Sequence, residues 1–309
     1  MPRESPWGAL EVADAHVHFF SRPFFAGLAS QKAGASQKSG TATAASLAAI
    51  GTELGWQIPG SAEELASVWA QELDRHQIGR AALIASFPGD EASVIAAAHA
   101  HPGRFFKYAM LDPVHPWREQ QLEEIDAACL FPAMHQFSLH SSEARRVFKW
   151  AAANRRALFV HCGMLSVGVR KKLGLESRFD MRYSNPIDLH PLALEFATVP
   201  IIVPHFGAGY FREALMLADA CPNVFLDTSS SNSWMRTQES AVDLRQVFKR
   251  ALDVAGPHRL LFGTDSSFFP RGWHGQIFEH QATALYELGA SLPDAQSIFG
   301  ENLLRIFAR

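Results

Sequence analysis

Short apolar runs alternate with amphipathic stretches along most of this chain. Runs such as Arg80–Ser86 (RAALIAS) and Asn223–Asp227 (NVFLD) have the length and composition of buried strands. Between them lie helical patterns, among them Ser61–His76, which begins with a capping-box spacing. We count eight strand–helix units, without a second core or a linker. This alternation predicts an α/β fold, a (β/α)8 TIM barrel that forms one domain over residues 1–309.

Three segments of the pattern need a separate interpretation. Trp117–Ala128 has the composition of a helix, and Leu130–Leu139 is predicted to contain a strand. Residues 19–60 follow the first predicted strand, Glu11–His18, and pass from aromatic to Ala/Ser/Gly/Lys-rich sequence. A long insertion at this point lies over the mouth of a barrel, so residues 19–60 are predicted to be a lid. A flexible or weakly helical surface excursion is the alternative.

Four apolar runs end in a residue that binds metals or transfers protons. They are Leu10–His18, Ala157–His161, Val199–His205 and Arg259–Asp265. In a parallel barrel the carboxyl ends of different strands meet at one face, where such residues become neighbours. His16 and His18, two positions apart on a strand, place their side chains on the same side. The spacing therefore predicts a site at the carboxyl-terminal face.

The residue types indicate which metal this site prefers. His16, His18 and His161 supply imidazole nitrogen, and Asp265 supplies a carboxylate oxygen. Such a set suits Zn, Mn or Fe better than Ca or Mg, which prefer shells of oxygen alone. We therefore expect one divalent metal, with Zn as the first choice.

Composition excludes several other classes of protein. Apolar residues make up 48% of the chain and charged residues 19%, with a formal net charge of −3. There is no basic field, so neither nucleic acid nor an anionic membrane is expected as a partner. No apolar run has the length of a membrane span, and the first residues lack the apolar core of a signal peptide. Three scattered cysteines without a CxxC spacing are typical of the reducing cytoplasm.

Several motifs together resemble a known superfamily. They are DAHVH at Asp14–His18, VHCG at Val160–Gly163, PHFGAG at Pro204–Gly209, LDTS at Leu226–Ser229, FGTD at Phe262–Asp265 and GENLLRIF at Gly300–Phe307. In order and spacing they resemble the amidohydrolase superfamily, in the branch of aminocarboxymuconate semialdehyde decarboxylase. The resemblance covers nearly the whole chain.

The resemblance implies roles for the strand-end residues. It makes His16, His18, His161 and Asp265 the metal ligands, and His205 and Asp265 the catalytic groups. His205 would polarise the scissile carbonyl, and Asp265 would accept the proton of the attacking water.

The resemblance also indicates the number of metal ions. Binuclear members of the superfamily carry a carbamylated lysine after the fourth strand, whereas Pro132–His140 contains no lysine. A single metal is therefore expected. His135 and His140 are either rim histidines or occupants of the space of that lysine.

Three functions stay open at this point. The first is a mononuclear metal-dependent hydrolase of a small lactone, amide or ester. The second is a metal-dependent, non-oxidative decarboxylase of a small unsaturated or aromatic carboxylic acid, which needs a carboxylate clamp. The third is a catalytically silent barrel that only binds a ligand. The candidates for substrate contact are Arg22, Arg170, Arg182, Arg271 and Trp234. The resemblance implies a small-molecule substrate and a homodimer.

Overall fold

The computed structural model describes residues 2–34, 43–229 and 232–308. Eight parallel strands form one sheet, and we number them β1 to β8 in chain order. They are Val12–Phe19, Ile78–Ala85, Phe105–Met110, Ala127–Leu130, Ala157–Val160, Ile201–Val203, Val224–Asp227 and Leu260–Leu261. Each strand pairs with the next in parallel, so the predicted α/β TIM barrel is confirmed.

Backbone hydrogen bonds connect the segment that follows the last strand to the first strand. The amide of Asp265 donates to the carbonyl of His16 at 3.0 Å, and the amide of His18 donates to the carbonyl of Ser266 at 2.7 Å. Val17 and Ser266 form a parallel bridge between these bonds. The barrel is therefore joined along the line on which the predicted metal ligands lie.

Helices lie between most of the strands and after β8. They are α1 Arg22–Lys32, α2 Ala44–Leu54, α3 Ala62–Arg75, α4 Glu91–Ala100, α5 Pro132–His135, α6 Ser142–Asn154, α7 Gly168–Lys172, α8 His190–Glu195, α9 Phe211–Ala220, α10 Leu244–Ala255, α11 Gly275–Glu287, α12 Leu292–Gln296 and α13 Asn302–Ile306. An antiparallel hairpin, Arg3–Ser5 with Gly8–Leu10, precedes the barrel. In the described parts of the chain, no helix has both the length and the apolar composition to cross a membrane.

Two apolar layers hold the barrel together. Fully buried side chains such as Ile84, Tyr108 and Phe159 fill its interior. Their neighbours along the strands, such as Leu83 and Val160, pack against the helices instead. Successive strand residues alternate between the two layers, as the two-residue period of a strand requires. The interior is a packed core, so a substrate has room only at the ends of the barrel.

Two sequence predictions around β4 are wrong. Trp117–Ala128 is not a helix, since it holds only a single 3-10 turn at Glu119–Leu122 before β4 begins. The strand expected within Leu130–Leu139 ends at its first residue, and α5 follows. Ala127–Leu130 pairs with β3 on one side and β5 on the other, so tertiary pairing outweighs the helical propensity of its alanines.

The described part of the insertion after β1 contains two helices. Apolar side chains of α1 and α2, including Phe25, Leu28 and Ile50, form one buried cluster with Val169 and Leu173 around α7. Residues 35–42 of this insertion lie outside the described residues. The lid at residues 19–60 and the single domain over residues 1–309 stay predictions.

Candidate metal centre

Side chains from the two ends of the chain meet at the carboxyl-terminal face of the barrel. His16 and His18 lie on β1, and Asp265 follows β8. Oδ1 of Asp265 lies 3.3 Å from Nε2 of His18 and 3.6 Å from Nε2 of His16. Each of the three residues offers one ligand atom, and these atoms all lie within 4.8 Å of one another. Three of the four predicted ligands are thus brought together.

Hydrogen bonds to Nδ1 define the tautomer of His16. Its Nδ1 lies 2.8 Å from Oδ2 of Asp227, a fully buried carboxylate that can only accept. Nδ1 therefore carries the proton, and the lone pair of Nε2 points into the site. The charge of Asp227 opposes the effect of burial and raises the pKa of His16 above its usual value.

Ser86 defines the tautomer of His18 in the same way. The hydroxyl of Ser86 donates to the carbonyl of Ile84 at 3.0 Å, so its oxygen accepts from Nδ1 of His18 at 2.7 Å. The lone pair of His18 Nε2 then also points into the site. Burial lowers the pKa of His18, although the neighbouring Asp265 favours the protonated ring and opposes this effect.

This arrangement fits a metal ion. In these tautomers two imidazole lone pairs and one carboxylate oxygen face one another, and none of the three supplies a proton to the others. Such a convergence of acceptors is unfavourable without a cation or extra protons between them. Two nitrogens and one oxygen are the donors that a catalytic zinc site uses, with positions left for substrate or water.

His161, the fourth predicted ligand, lies beside this group but is not one of its three members. It is buried, and its Nδ1 has no hydrogen-bond partner among the described residues. Its ring centroid lies 5.4 Å from that of His205 and 5.4 Å from that of Phe131, on which it stacks. Burial lowers the pKa of His161 well below its usual value, so the ring is neutral and can act as a ligand at pH 7.

His205, the predicted catalytic imidazole, follows β6 in a left-handed turn with φ of 56°. A left-handed conformation is uncommon for a residue other than glycine, and such strain often marks functional sites. Nδ1 of His205 donates to the carbonyl of Ser229 at 3.0 Å, which leaves the Nε2 lone pair for the site. Burial lowers the pKa of His205, so the neutral form dominates at pH 7. Its ring centroid lies 5.0 Å from that of His16.

Asp265 is ionised at neutral pH. Burial alone would raise its pKa, but the imidazoles of His18, His16 and His205, which are protonated in acid, hold the pKa below its usual value. Its backbone is left-handed, with φ of 58°. Nη2 of Arg271 donates to its carbonyl at 3.2 Å. Arg271 therefore helps to hold the backbone that carries this carboxylate.

Asp14 connects the two strands that carry the ligands. It is fully buried and accepts from the backbone amides of His16 at 2.9 Å and Thr264 at 3.1 Å. The Thr264 hydroxyl donates to it at 2.5 Å and the indole of Trp273 at 2.8 Å. Burial raises the pKa of Asp14 to about 6, although these hydrogen bonds lower it. Asp14 thereby fixes the position of His16 relative to the chain before Asp265.

A cavity of about 1140 Å³ lies beneath α1, and none of the five strand-end residues of the site is part of its lining. Ser86, the partner of His18, is part of its lining, and so are two of the predicted substrate contacts, Arg22 and Arg170. Arg182 and Trp234 are not part of this lining. The Arg182 side chain is 84% exposed and pairs with Asp180, whereas Trp234 is buried against Phe211.

Sequence reasoning missed four residues that support the site. They are Asp14, Ser86, Asp227 and Ser229. Asp227 and Ser229 lie in the LDTS motif at the end of β7, so the rule that strand ends carry function could have found them. Ser229 donates its amide to Asp227 at 2.6 Å, and its hydroxyl lies within 3.0 Å of Nδ1 of both His16 and His205. Ser86 follows β2 in a run that gave no chemical signal.

Comparison with known sequences gives a family and one relative. The sequence profile of the family described as Amidohydrolase matches residues 13–309. The chain is 34% identical over 89 residues to protein fluG of Emericella nidulans, a match that covers 28% of this chain but only 10% of that protein.

Solved structures share the fold at low identity. LigW, the 5-carboxyvanillate decarboxylase of Sphingomonas paucimobilis, gives a TM-score of 0.64 at 13% identity, over 97% of this chain and 99% of that one. A probable 2-pyrone-4,6-dicarboxylic acid hydrolase of Acinetobacter baumannii gives a TM-score of 0.60 at 14% identity, over 96% of this chain and 99% of that one. An amidohydrolase of Burkholderia multivorans with bound zinc gives a TM-score of 0.62 at 15% identity, over 96% of this chain and 98% of that one.

Proposed function

Because this chain belongs to the amidohydrolase family, we propose that it is a mononuclear metal-dependent hydrolase of a lactone, amide or ester. The observation that carries the proposal is the convergence of His16, His18 and Asp265 where the chain after β8 bonds to β1. These three residues would hold the ion, with His161 as a fourth ligand. Zinc is the first choice for this donor set, with manganese or iron as alternatives. A bound divalent ion supplies Lewis acidity towards water and substrate oxygens.

The two catalytic residues would divide the proton transfers. Asp265 is ionised at pH 7, so its carboxylate can accept the proton of an attacking water. Nε2 of His205 carries a lone pair, because Nδ1 donates to Ser229. In this tautomer His205 has no proton of its own to donate at Nε2, so it would take the proton that Asp265 accepted from the water and pass it to the leaving group. Ser229 would keep the ring in that orientation.

A second candidate is the decarboxylation of an unsaturated or aromatic acid. It is favoured by Arg22 and Arg170 in the cavity lining, since a guanidinium group binds a carboxylate with two parallel hydrogen bonds. Arg271 is the arginine beside Asp265 and would be the clamp nearest to the reacting group. A solved structure with the same fold is a decarboxylase, which supports this candidate. A barrel that only binds a ligand is the third candidate.

We propose that residues 19–60 cover the cavity as a lid, since α1 contributes to its lining. We propose a small-molecule substrate, a homodimer and a cytoplasmic location.

Mass spectrometry of reaction products tests the proposal. The protein is loaded with zinc or manganese and incubated with a panel of lactones, amides, esters and unsaturated or aromatic acids. Products whose summed mass exceeds that of the substrate by one water support the hydrolase, and a product lighter by one CO₂ supports the decarboxylase. Protein stripped by a chelator is the control, and conversion that survives stripping would contradict metal dependence.

A further inference from the structure

The cavity beside the metal centre is larger than a single-ring substrate needs. Its volume is about 1140 Å³. Drug-sized ligands occupy pockets of roughly 300–1,000 Å³, and an apolar cavity of about 150 Å³ suffices for benzene. A compact lactone or monocyclic acid bound at the metal ligands would leave most of this space to water. The cavity approaches the metal centre at Ser86, the hydrogen-bond partner of His18, so a substrate that reaches the centre and fills this space extends beneath α1 from Ser86.

Much of the cavity wall is apolar. Side chains of the insertion form one side, and the loops after β2, β3, β4 and β5 form the other. The apolar lining residues include Phe24, Leu28, Phe87, Met110, Met134 and Phe179. A wall of this composition binds hydrocarbon, because burial of apolar surface contributes roughly 25 cal/mol per Å². The middle part of the substrate is therefore expected to be an alkyl chain or an aryl group.

The charged groups of the lining carry an excess of positive charge. Asp112 already pairs with His115 at 2.6 Å, and Glu176 pairs with Arg178 at 2.9 Å. Arg22 and Arg170 have no carboxylate within ion-pair distance among the described residues. An anionic group would complement these two guanidinium groups.

Arg170 has the geometry of a built anion site. Its guanidinium group donates to three neutral oxygens: Oε1 of Gln31 in α1, Oγ of Ser177 and the carbonyl of Glu176. Because a guanidinium group has five N–H donors, two remain available. The bonds to neutral oxygens hold the group at the cavity wall and leave its charge uncompensated. Burial lowers the pKa of Arg170 from its usual value, a change far too small to deprotonate an arginine.

We propose that the substrate is an extended acid, with the reacting group at the metal centre, an apolar middle part in the cavity and a terminal carboxylate bound by Arg170 and Arg22. This inference rests on the proposed function and specifies its substrate class. The remote carboxylate is not the reacting group. In a decarboxylation Arg271, and not Arg22 or Arg170, would hold the carboxylate that leaves, so the inference is compatible with either proposed reaction.

The test is calorimetric binding of linear acids to the zinc-loaded protein. Suberate has eight carbons and a carboxylate at each end, octanoate has the same length with one carboxylate, and succinate has two carboxylates on a short chain. We expect suberate to bind at least about tenfold more tightly than either of the others, as one charge-assisted hydrogen-bonded pair provides. Equal affinities for suberate and octanoate would overturn the proposal.

Variants identify the residues that bind the remote carboxylate. R170Q should weaken suberate binding about tenfold and leave octanoate binding nearly unchanged. Lys171 is exposed on the same helix and is not part of the cavity lining, so K171Q is the matched control. R170Q also removes the hydrogen bond to Gln31 and could disturb α1. R22Q changes an exposed residue without this contact and provides an independent test. Equal losses for suberate and octanoate in both variants would overturn the assignment.

Binding and turnover separate this inference from the proposed function. Selective binding of suberate without hydrolysis of any panel substrate would support the substrate class and contradict the hydrolase. Hydrolysis without a preference for a remote carboxylate would do the opposite.

Discussion

The carboxylate of Asp227 accepts a hydrogen bond from Nδ1 of His16 at 2.8 Å, and both side chains are buried. The pair connects the end of β7 to β1, the two strands on either side of β8. A carboxylate behind a ligating imidazole fixes its tautomer and increases its basicity. Asp227 is therefore expected to control metal affinity without touching the metal.

Replacement of Asp227 by asparagine should weaken metal binding. The amide has one acceptor oxygen, whereas Asp227 accepts from both His16 and the amide of Ser229. We expect an affinity for zinc about 10- to 100-fold lower, measured by competition with a chromophoric chelator. Asp219 is exposed, and Asp219→Asn is the control. An unchanged zinc affinity in Asp227→Asn would show that the hydrogen bond has no part in binding.

Removal of both histidines of β1 should abolish metal content and activity together. The double variant His16→Ala, His18→Ala retains only Asp265 of the group whose ligand atoms lie within 4.8 Å. Metal content is measured by elemental analysis after gel filtration, and activity on any substrate that the panel identifies. Full activity in the double variant would refute the assignment of the site.

A methyl group at Gly263 should disturb the metal centre. A Cβ atom there would lie 2.7 Å from Oδ1 of Asp227 and 3.0 Å from Cβ of both His16 and Ser229. Overpacking of this kind costs about 1–3 kcal/mol, and here the atoms that must move are those that orient His16. Gly263→Ala should lower the melting temperature and the zinc affinity, measured by calorimetry and chelator competition. Gly168→Ala places its methyl group in open space and should change neither.

The stability of the protein should depend on pH through Asp90. Burial raises the pKa of Asp90 from 3.8 to about 6, against the hydrogen bonds from Ser21 and Ser93. The folded protein therefore binds this proton more tightly than the unfolded chain does. The stabilisation by the protonated form is complete below about pH 4 and is lost as pH rises through about 6.

Asp90→Asn should consequently stabilise the protein at pH 8. The gain has an upper bound of about 3 kcal/mol, since one pKa unit corresponds to about 1.4 kcal/mol. Urea unfolding at pH 8 and pH 4 measures it, and the difference from the wild type should be absent at pH 4. Asp253→Asn changes an exposed residue and should give no such pH dependence. A variant that is less stable than the wild type at pH 8 would contradict the prediction.

The sequence predicted the elements whose signal is local. β1 carries two histidines at a spacing of two, and Asp265 ends an apolar run, so both could be assigned to one face of a barrel. β4 could not be predicted, because Ala127–Leu130 becomes a strand only through its pairing with β3 and β5. The short helix α5 after it was not predicted either, because a strand was expected within Leu130–Leu139.

The supporting residues of the site depend on contacts between distant segments. Ser86 has no chemical signal in its own run, and it acquires a role only because β2 lies beside β1 and brings its hydroxyl to His18. Asp14 was visible in the motif DAHVH, but its hydrogen bonds to Thr264 and Trp273 require the far end of the chain. Residues of this kind follow from the three-dimensional structure, even where the metal ligands themselves follow from the pattern.

Because backbone hydrogen bonds join β1 to the segment after β8, the metal is expected to stabilise the fold as well as to serve the reaction. His16 and Asp265 are joined both by a backbone hydrogen bond and by the proposed ion, so the donor set exists only after the first and last strands have met. A ligand that binds the folded chain alone raises the free energy of unfolding according to its concentration and affinity. In the cell, the supply of metal would then govern the lifetime of this protein as well as its catalytic rate. Without metal, the barrel would open more often where the chain after β8 meets β1, and proteases would reach the opened chain.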